Sequence, residues 1–270
     1  MQSPQAQTLQ QHIAVIQKAE AFMDSGQQQG QTALIAFENA FRAVKEAANG
    51  ASETSRHDKE RASAWLAVCH LKGIGCEQDV DKAIEIASPA AGWREPVAMY
   101  ALAAAQIQKI IDTVPEGQWV SLEDNPAISD LERVCESLPQ SDLTALKQMA
   151  DSLEFSKNQN VPPAAYLQSQ MYFASYWTVD PMAYQSEFHR KAMHALQDSA
   201  DAGYAPAQFN MAQRLFQFNS TTPEIAESAI SYAEKAYRQG YRSEESETLY
   251  NKAQGVIAAS VPQAPTWSTP

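Results

Sequence analysis

Residues 62–91 read ASAWLAVCHLKGIGCEQDVDKAIEIASPAA, and the pattern Ala-x-x-x-Leu-Ala that opens them at Ala62 returns at Ala98. Apolar residues at helical spacing on both sides of Gly73 and Gly75 predict two helices joined by a tight turn. The restart comes 36 residues later, and such a fixed period is typical of stacked helical hairpins. The stretch therefore predicts an α-solenoid, an architecture that favours a binding scaffold over a catalyst.

Composition limits the classes of partner. The chain has 270 residues and a net charge of −12, and because phosphate backbones need a basic surface, we expect neither a nucleic-acid nor an anionic membrane partner. Residues 1–11 lack the basic start and the apolar core of a signal peptide. Three cysteines without a pairing pattern suit a reducing compartment. We expect a cytoplasmic protein, unless this is a mature form whose signal has been removed.

Turn residues and helical periodicity divide the chain into five regions. They are an N-terminal helical pair (1–57), the clear hairpin with the start of the next (58–112), an acidic inserted or enlarged unit (113–160), further repeats with a capping helix (161–259), and a disordered tail (260–270). The inserted unit holds nine acidic and three basic side chains, half of the net charge. We therefore expect an all-α superhelical solenoid of about five helical hairpins plus a C-terminal capping helix.

The hairpin at 62–98 resembles the Sel1-like repeat, a tetratricopeptide-like helical repeat. The positions that match the family pattern are Ala62, Leu66, Gly73, Gly75, Asp79, Lys82, Ala83, Ala90 and Ala91. Ala67, His70, Cys76 and Arg94 replace the helix glycine, the tyrosine, the valine and the turn glycine of that pattern. Fainter copies of the repeat junction follow at 199–207 and 236–240. The resemblance implies a right-handed superhelix used for protein recognition, and it implies no catalytic residues.

The register of the repeat also predicts which side chains point away from the hairpin. Positions two before the motif leucine, and two and five after it, fall roughly 140–200° from the packing stripe. In the first two units these positions are aliphatic except for Tyr100, and Ala64, Leu71 and Ala104 are among them. In the later units they hold aromatic side chains with glutamine between them, which suit a groove for a peptide or a helix. The predicted groove residues are Val68, Tyr100, Ile107, Tyr166, Gln170, Phe173, Phe209, Gln213, Phe216 and Tyr250.

Two alternatives remain open at this point. Inserted helices at 128–156, or neighbouring turns of a tightly wound superhelix, would fill the groove and turn these side chains into ordinary core. The acidic segment 113–160 would instead suit an inhibitor or immunity-type protein that binds a basic partner.

No motif in the sequence indicates a reaction. Cys69, His70 and Cys76 are close together but lack a fourth zinc ligand, so buried thiols are the simpler interpretation. The nucleophile, phosphate-loop and dinucleotide motifs are absent from the sequence, and the hairpin turn explains Gly73 and Gly75. We expect a non-enzymatic adaptor, without metal or cofactor, whose partner is another protein or a peptide segment.

Overall fold

The computed structural model describes residues 4–23, 30–50, 55–115, 131, 138–178, 185–218 and 222–260. In this part of the chain the backbone forms eleven α-helices and no strand, which confirms the all-α prediction. In chain order the helices are α1 (Pro4–Met23), α2 (Gln31–Ala48), α3 (Arg56–Lys72), α4 (Val80–Gly92), α5 (Pro96–Asp112), α6 (Gln140–Asn158), α7 (Pro162–Thr178), α8 (Gln185–Asp201), α9 (Ala205–Phe218), α10 (Pro223–Arg238) and α11 (Ser243–Ser260).

The helices pack as five hairpins and a cap. The pairs are α1 with α2, α3 with α4, α5 with α6, α7 with α8 and α9 with α10, while α11 packs on α10. The first helices of neighbouring hairpins also touch, as α1 and α3 or α3 and α5 do, which is the stacking of an α-solenoid. Almost half of the predicted insertion (116–130 and 132–137) and most of the predicted tail (261–270) lie outside the described residues.

The turn of the first recognised hairpin forms as the sequence predicts. Helix α3 ends at Gly73, whose φ of 70° is left-handed, and Gly75 follows with a φ of 69°. A Cβ on Gly75 would lie 2.5 Å from the carbonyl oxygen of Phe37. This position therefore requires glycine both for its left-handed backbone and for the lack of space beside it. Asp79 then caps α4, as predicted, by accepting a hydrogen bond from the backbone N–H of Lys82 at 2.8 Å.

One turn geometry recurs at the ends of the second, third, fourth and fifth hairpins. A left-handed residue follows the helix, and the N–H of the next residue bonds to the carbonyl five positions earlier, which is a Schellman motif. The sequence predicts three of these junctions and misses the one at Asn160, because neither a glycine nor the Ala-Ala pair of the repeat pattern marks it. The left-handed residues are Arg94, Asn160, Gly203 and Gly240.

Small side chains let the paired helices approach closely. Helix α10 buries alanines at three- and four-residue spacing along one face, and α4 does the same with three. Alanine costs little side-chain entropy and leaves little bulk between helix backbones. The alanines concerned are Ala226, Ala229, Ala233 and Ala236 in α10, and Ala83, Ala87 and Ala90 in α4.

The solenoid curls until its first helix meets its last hairpin. Glu20 of α1 is 1% exposed, and its Oε1 accepts hydrogen bonds from the hydroxyls of Tyr100 (2.6 Å) and Tyr204 (3.0 Å). We call these three residues the Glu20 layer. The ring of Phe22 packs at 6.2 Å from that of Tyr241, in the turn between α10 and α11. Tyr204 is 184 residues from Glu20 in sequence, so the closure is a long-range contact.

Candidate functional site

The concave face of the solenoid holds a cavity of about 470 Å³, which we call the inner cavity. Four of the ten predicted groove residues line it: Tyr100 and Ile107 from α5, and Tyr166 and Gln170 from α7. Tyr100 and Ile107 are buried in its wall, whereas Tyr166 and Gln170 are partly exposed. Two neighbouring repeats therefore contribute equivalent positions to one concave site.

The inner cavity is lined by both apolar and charged side chains. Leu71 and Ala104, two further positions of the predicted inner face, add apolar surface. The charged side chains among its described lining residues are cations, Lys72 and Arg242, although the chain as a whole is acidic. Leu131, the one described residue of segment 116–137, is buried and also lines the cavity. The insertion thus reaches the inner face at this position.

The prediction of one open aromatic row is wrong for most of its members. Helix α3 is covered on all sides, because α1, α2, α4 and α5 pack around it, so Val68 is core. Phe209 is covered by Tyr241 from the turn between α10 and α11, with ring centroids 5.8 Å apart. Neighbouring helices rather than a bound segment occupy the space that these positions face. The predicted groove residues that are buried are Val68, Tyr100, Ile107, Phe173, Phe209 and Gln213.

Phe173 belongs to a packed cluster between α7, α8 and α9. The guanidinium of Arg214 lies 3.4 Å from the centre of its ring, and the imidazole of His189 meets it edge-on at 5.9 Å. Burial and the nearby Arg214 charge lower the pKa of His189. This cluster stabilises the helix packing and does not face the inner cavity.

The last two predicted groove residues lie away from the inner cavity. The ammonium group of Lys252, on α11, is 5.4 Å from the centre of the Phe216 ring. Tyr250 lines a smaller cleft between α10 and α11, together with Tyr237. The row predicted from the register is therefore divided among the inner cavity, the core and the surface of the C-terminal hairpin.

A second cavity, of about 730 Å³, adjoins the inner one. Tyr204 and Pro163 line both, and the Glu20 layer lies between them, because Glu20 lines one cavity and Tyr100 the other. The second cavity is bounded by the starts of α5, α7 and α9. The buried carboxyl of Glu95 caps α5 there by accepting from the N–H of Ala98 at 2.6 Å, and burial raises its pKa.

Two tyrosines of the inner cavity were missed in the sequence. Tyr204 and Tyr241 each come directly after the left-handed glycine of a junction, as Gly203-Tyr204 and Gly240-Tyr241. Both line the inner cavity, whereas Glu95 and Val161, which follow the other two left-handed residues, line the second cavity. The repeated Gly-Tyr pair was the available signal.

Of the two cysteines of the clear hairpin, Cys69 is buried and Cys76 is partly buried. Burial raises the pKa of Cys76 to about 11 and that of Cys69 further, so both remain protonated near neutral pH. Burial also lowers the pKa of His70, whose Nδ1 is 3.8 Å from Cys76 Sγ. Over the described ranges, no group of three His, Cys, Asp or Glu side chains is arranged to hold a metal ion. The absence of a metal and of a cofactor stays a prediction.

In the described part of the acidic segment, Glu154 and Lys157 are engaged within the chain. Glu154 of α6 pairs with Lys157 at 3.3 Å and accepts a hydrogen bond from Gln168 at 3.0 Å. Lys157 also pairs with Asp198 of α8 at 3.1 Å. Six of the nine acidic residues of the segment lie outside the described residues, so the basic-partner alternative stays a prediction.

Fold and cavity together define a helical-repeat solenoid with a partly enclosed concave face. Among solved structures, the chain is similar to a Sel1 repeat protein from Oxalobacter formigenes, with 16% identity over 92% of this chain and 80% of that chain, and a TM-score of 0.31. The family named there is the one that residues 62–98 resemble. A likeness of this degree carries no argument about function. No family model and no curated protein matches the sequence. Of the helices in the described part of the chain, none has the length and apolarity to cross a bilayer.

Proposed function

We propose that this protein is a non-enzymatic scaffold that binds a short segment of a partner protein in the inner cavity. The observation that carries this proposal is the convergence of α5 and α7 on one cavity. Tyr100 and Ile107 form a buried apolar wall there, and Tyr166 and Gln170 stay accessible at its edge. Rigid aromatic side chains supply contact area, and the amide supplies hydrogen bonds that set the register of a bound segment.

The size of the inner cavity favours a short extended segment over a helix. Its volume of about 470 Å³ is within the range of about 300–1,000 Å³ that is typical of small-molecule sites. A helix is about 10 Å wide with its side chains, so two turns occupy on the order of 1,000 Å³. A few residues of an extended segment fit without any rearrangement of the Glu20 layer.

The proposal is tested with peptides selected from a random displayed library against the immobilised full chain. We expect Tyr166→Ala to weaken their binding about tenfold, which corresponds to about 1.4 kcal/mol, and Gln170→Ala to weaken it by a smaller factor. The matched control is Gln197→Ala, an exposed glutamine on α8. Fluorescence anisotropy gives the Kd values, and circular dichroism checks that each variant is folded.

The outcome that contradicts the proposal is also specific. If the selected peptides keep their affinity in both cavity variants, or lose it equally in Gln197→Ala, the inner cavity is not the binding site. Substitutions at Phe173 and Phe209 are unsuitable here because both rings are core, so lost binding would only report unfolding.

A further inference from the structure

The groove between α10 and α11 contains a small cleft with a repeated pattern. Glu234, Tyr237 and Arg238 line it from α10, and Glu247, Tyr250 and Asn251 line it from α11. Both helices thus present a glutamate and, three residues later, a tyrosine on the same face. We call this site the α10–α11 cleft. Its volume is about 260 Å³.

The hairpin geometry places the two glutamates level with each other, with one tyrosine on either side of them along the cleft. Because α10 and α11 are joined by only residues 239–242, they run antiparallel. Counted outward from that turn, Glu234 is level with Glu247, whereas Tyr237 lies three residues nearer the turn and Tyr250 three residues farther from it. Two aromatic rings and two carboxylates therefore surround one cleft.

The exposure of these side chains is unusual for this chain. Tyr237 is 47% exposed, and in the described part of the chain it is one of four large hydrophobic side chains that are exposed. Glu247 is also exposed and forms no ion pair in the part of the chain that the structure describes. A tyrosine ring and an uncompensated carboxylate at one site both attract a cation.

A guanidinium already lies at the edge of the cleft. Nη2 of Arg238 is 2.6 Å from Oε1 of Glu234. Because this contact engages only Glu234, the second carboxylate and the Tyr237 ring remain available. The cleft therefore combines groups that suit a second planar cation, which can stack on a ring and bond a carboxylate at the same time.

We propose that the α10–α11 cleft binds an arginine side chain of a partner protein. Its volume lies below the range of about 300–1,000 Å³ found for small-molecule sites, so one side chain fits rather than a whole ligand. The net charge of −12 favours the approach of a basic segment. This cleft is separate from the inner cavity, so the proposal does not depend on the proposed function.

The test is a titration of the isotopically labelled full chain, followed by NMR of the backbone amides. The probe is the peptide acetyl-Gly-Gly-Arg-Gly-Gly-amide in about 150 mM salt, where long-range attraction is screened. The matched probe replaces arginine by citrulline, which has nearly the same shape but no charge. A third probe carries lysine.

We expect the arginine peptide to shift the amides of residues 234–251, with an affinity at least fivefold higher than that of the citrulline peptide. Glu247→Gln should weaken binding at least threefold. Arg238→Gln should strengthen it about twofold, because it removes the competing guanidinium from Glu234. The control Glu227→Gln, an exposed glutamate on α10 away from the cleft, should leave the affinity unchanged.

Three results would overturn the proposal. The first is equal binding of the arginine and citrulline peptides. The second is an unchanged affinity in Glu247→Gln or shifts confined to the inner cavity. The third is tighter binding of the lysine peptide than of the arginine peptide. Because Glu247 is exposed, its substitution leaves the fold intact, and the amide spectrum of the free variant verifies this.

Discussion

Helices α7 and α9 occupy the same place in successive repeats, 43 residues apart, yet their equivalent side chains have opposite environments. The first two positions are accessible at the inner cavity in α7 and buried in α9, and the third position shows the reverse. The matched pairs are Tyr166 with Phe209, Gln170 with Gln213, and Phe173 with Phe216. The comparison teaches that the repeat register fixes which face a residue belongs to, whereas distant elements decide what covers that face.

Substitutions in the first pair, Tyr166 and Phe209, should give the largest difference in the free energy of unfolding. Phe209→Ala removes a ring that packs on Tyr241 and is 2% exposed, so the free energy of unfolding should fall by about 3–5 kcal/mol. Tyr166→Ala removes a half-buried ring at the edge of a cavity and should cost no more than about 2 kcal/mol. Urea unfolding of the full chain measures both. Equal losses would mean that the two helices have the same environment, and the comparison would fail.

The second test concerns the Glu20 layer, because it holds the first helix against the last hairpin and so contributes to covering the α9 positions. Glu20→Gln should lower the free energy of unfolding by about 1–3 kcal/mol, because an amide replaces the carboxyl group that accepts hydrogen bonds from two tyrosine hydroxyls and adds an NH₂ group that cannot accept them. The matched control is Glu38→Gln on the exposed face of α2, which should change stability by less than about 0.5 kcal/mol.

A double-mutant cycle sharpens that test. Tyr204→Phe removes the hydrogen bond that joins α1 to the start of the last hairpin, so combining it with Glu20→Gln should cost less than the sum of the two single losses. Additive losses would show that the contact contributes nothing to closure. In that case only the turn between α10 and α11 would bury the inner-face side chains of α9.

The sequence predicted those features of the fold that depend on residues close together in the chain. The hairpin turn at Gly73 and Gly75, the cap at Asp79 and the alternation of packing and inner-face positions all depend on residues within two turns of one another. The Glu20 layer joins residues 80 and 184 positions apart, and nothing near Glu20 in sequence indicates its partners. Four of the ten predicted groove residues therefore lie at the inner cavity, and the other six do not line it.

The junctions position the residues that cover the inner face, and they give the smallest expected effect. Asn160 and Gly203 are equivalent left-handed residues, with φ of 59° and 91°, before Val161 and Tyr204. Asn160→Gly should raise the free energy of unfolding by about 0.5 kcal/mol, since glycine adopts this conformation without a Cβ penalty.

Gly203→Ala is the converse substitution at the equivalent junction, because it removes a glycine from a left-handed position. No atom lies within 4 Å of the added Cβ, so the expected loss of about 1–2 kcal/mol is conformational and owes nothing to a clash. Thermal unfolding of both variants measures the pair. Opposite signs would show that the two junctions use the same turn despite their different residues. A gain in both variants would mean that the turn at Gly203 does not require its left-handed conformation, and that Tyr204 reaches Glu20 by another route.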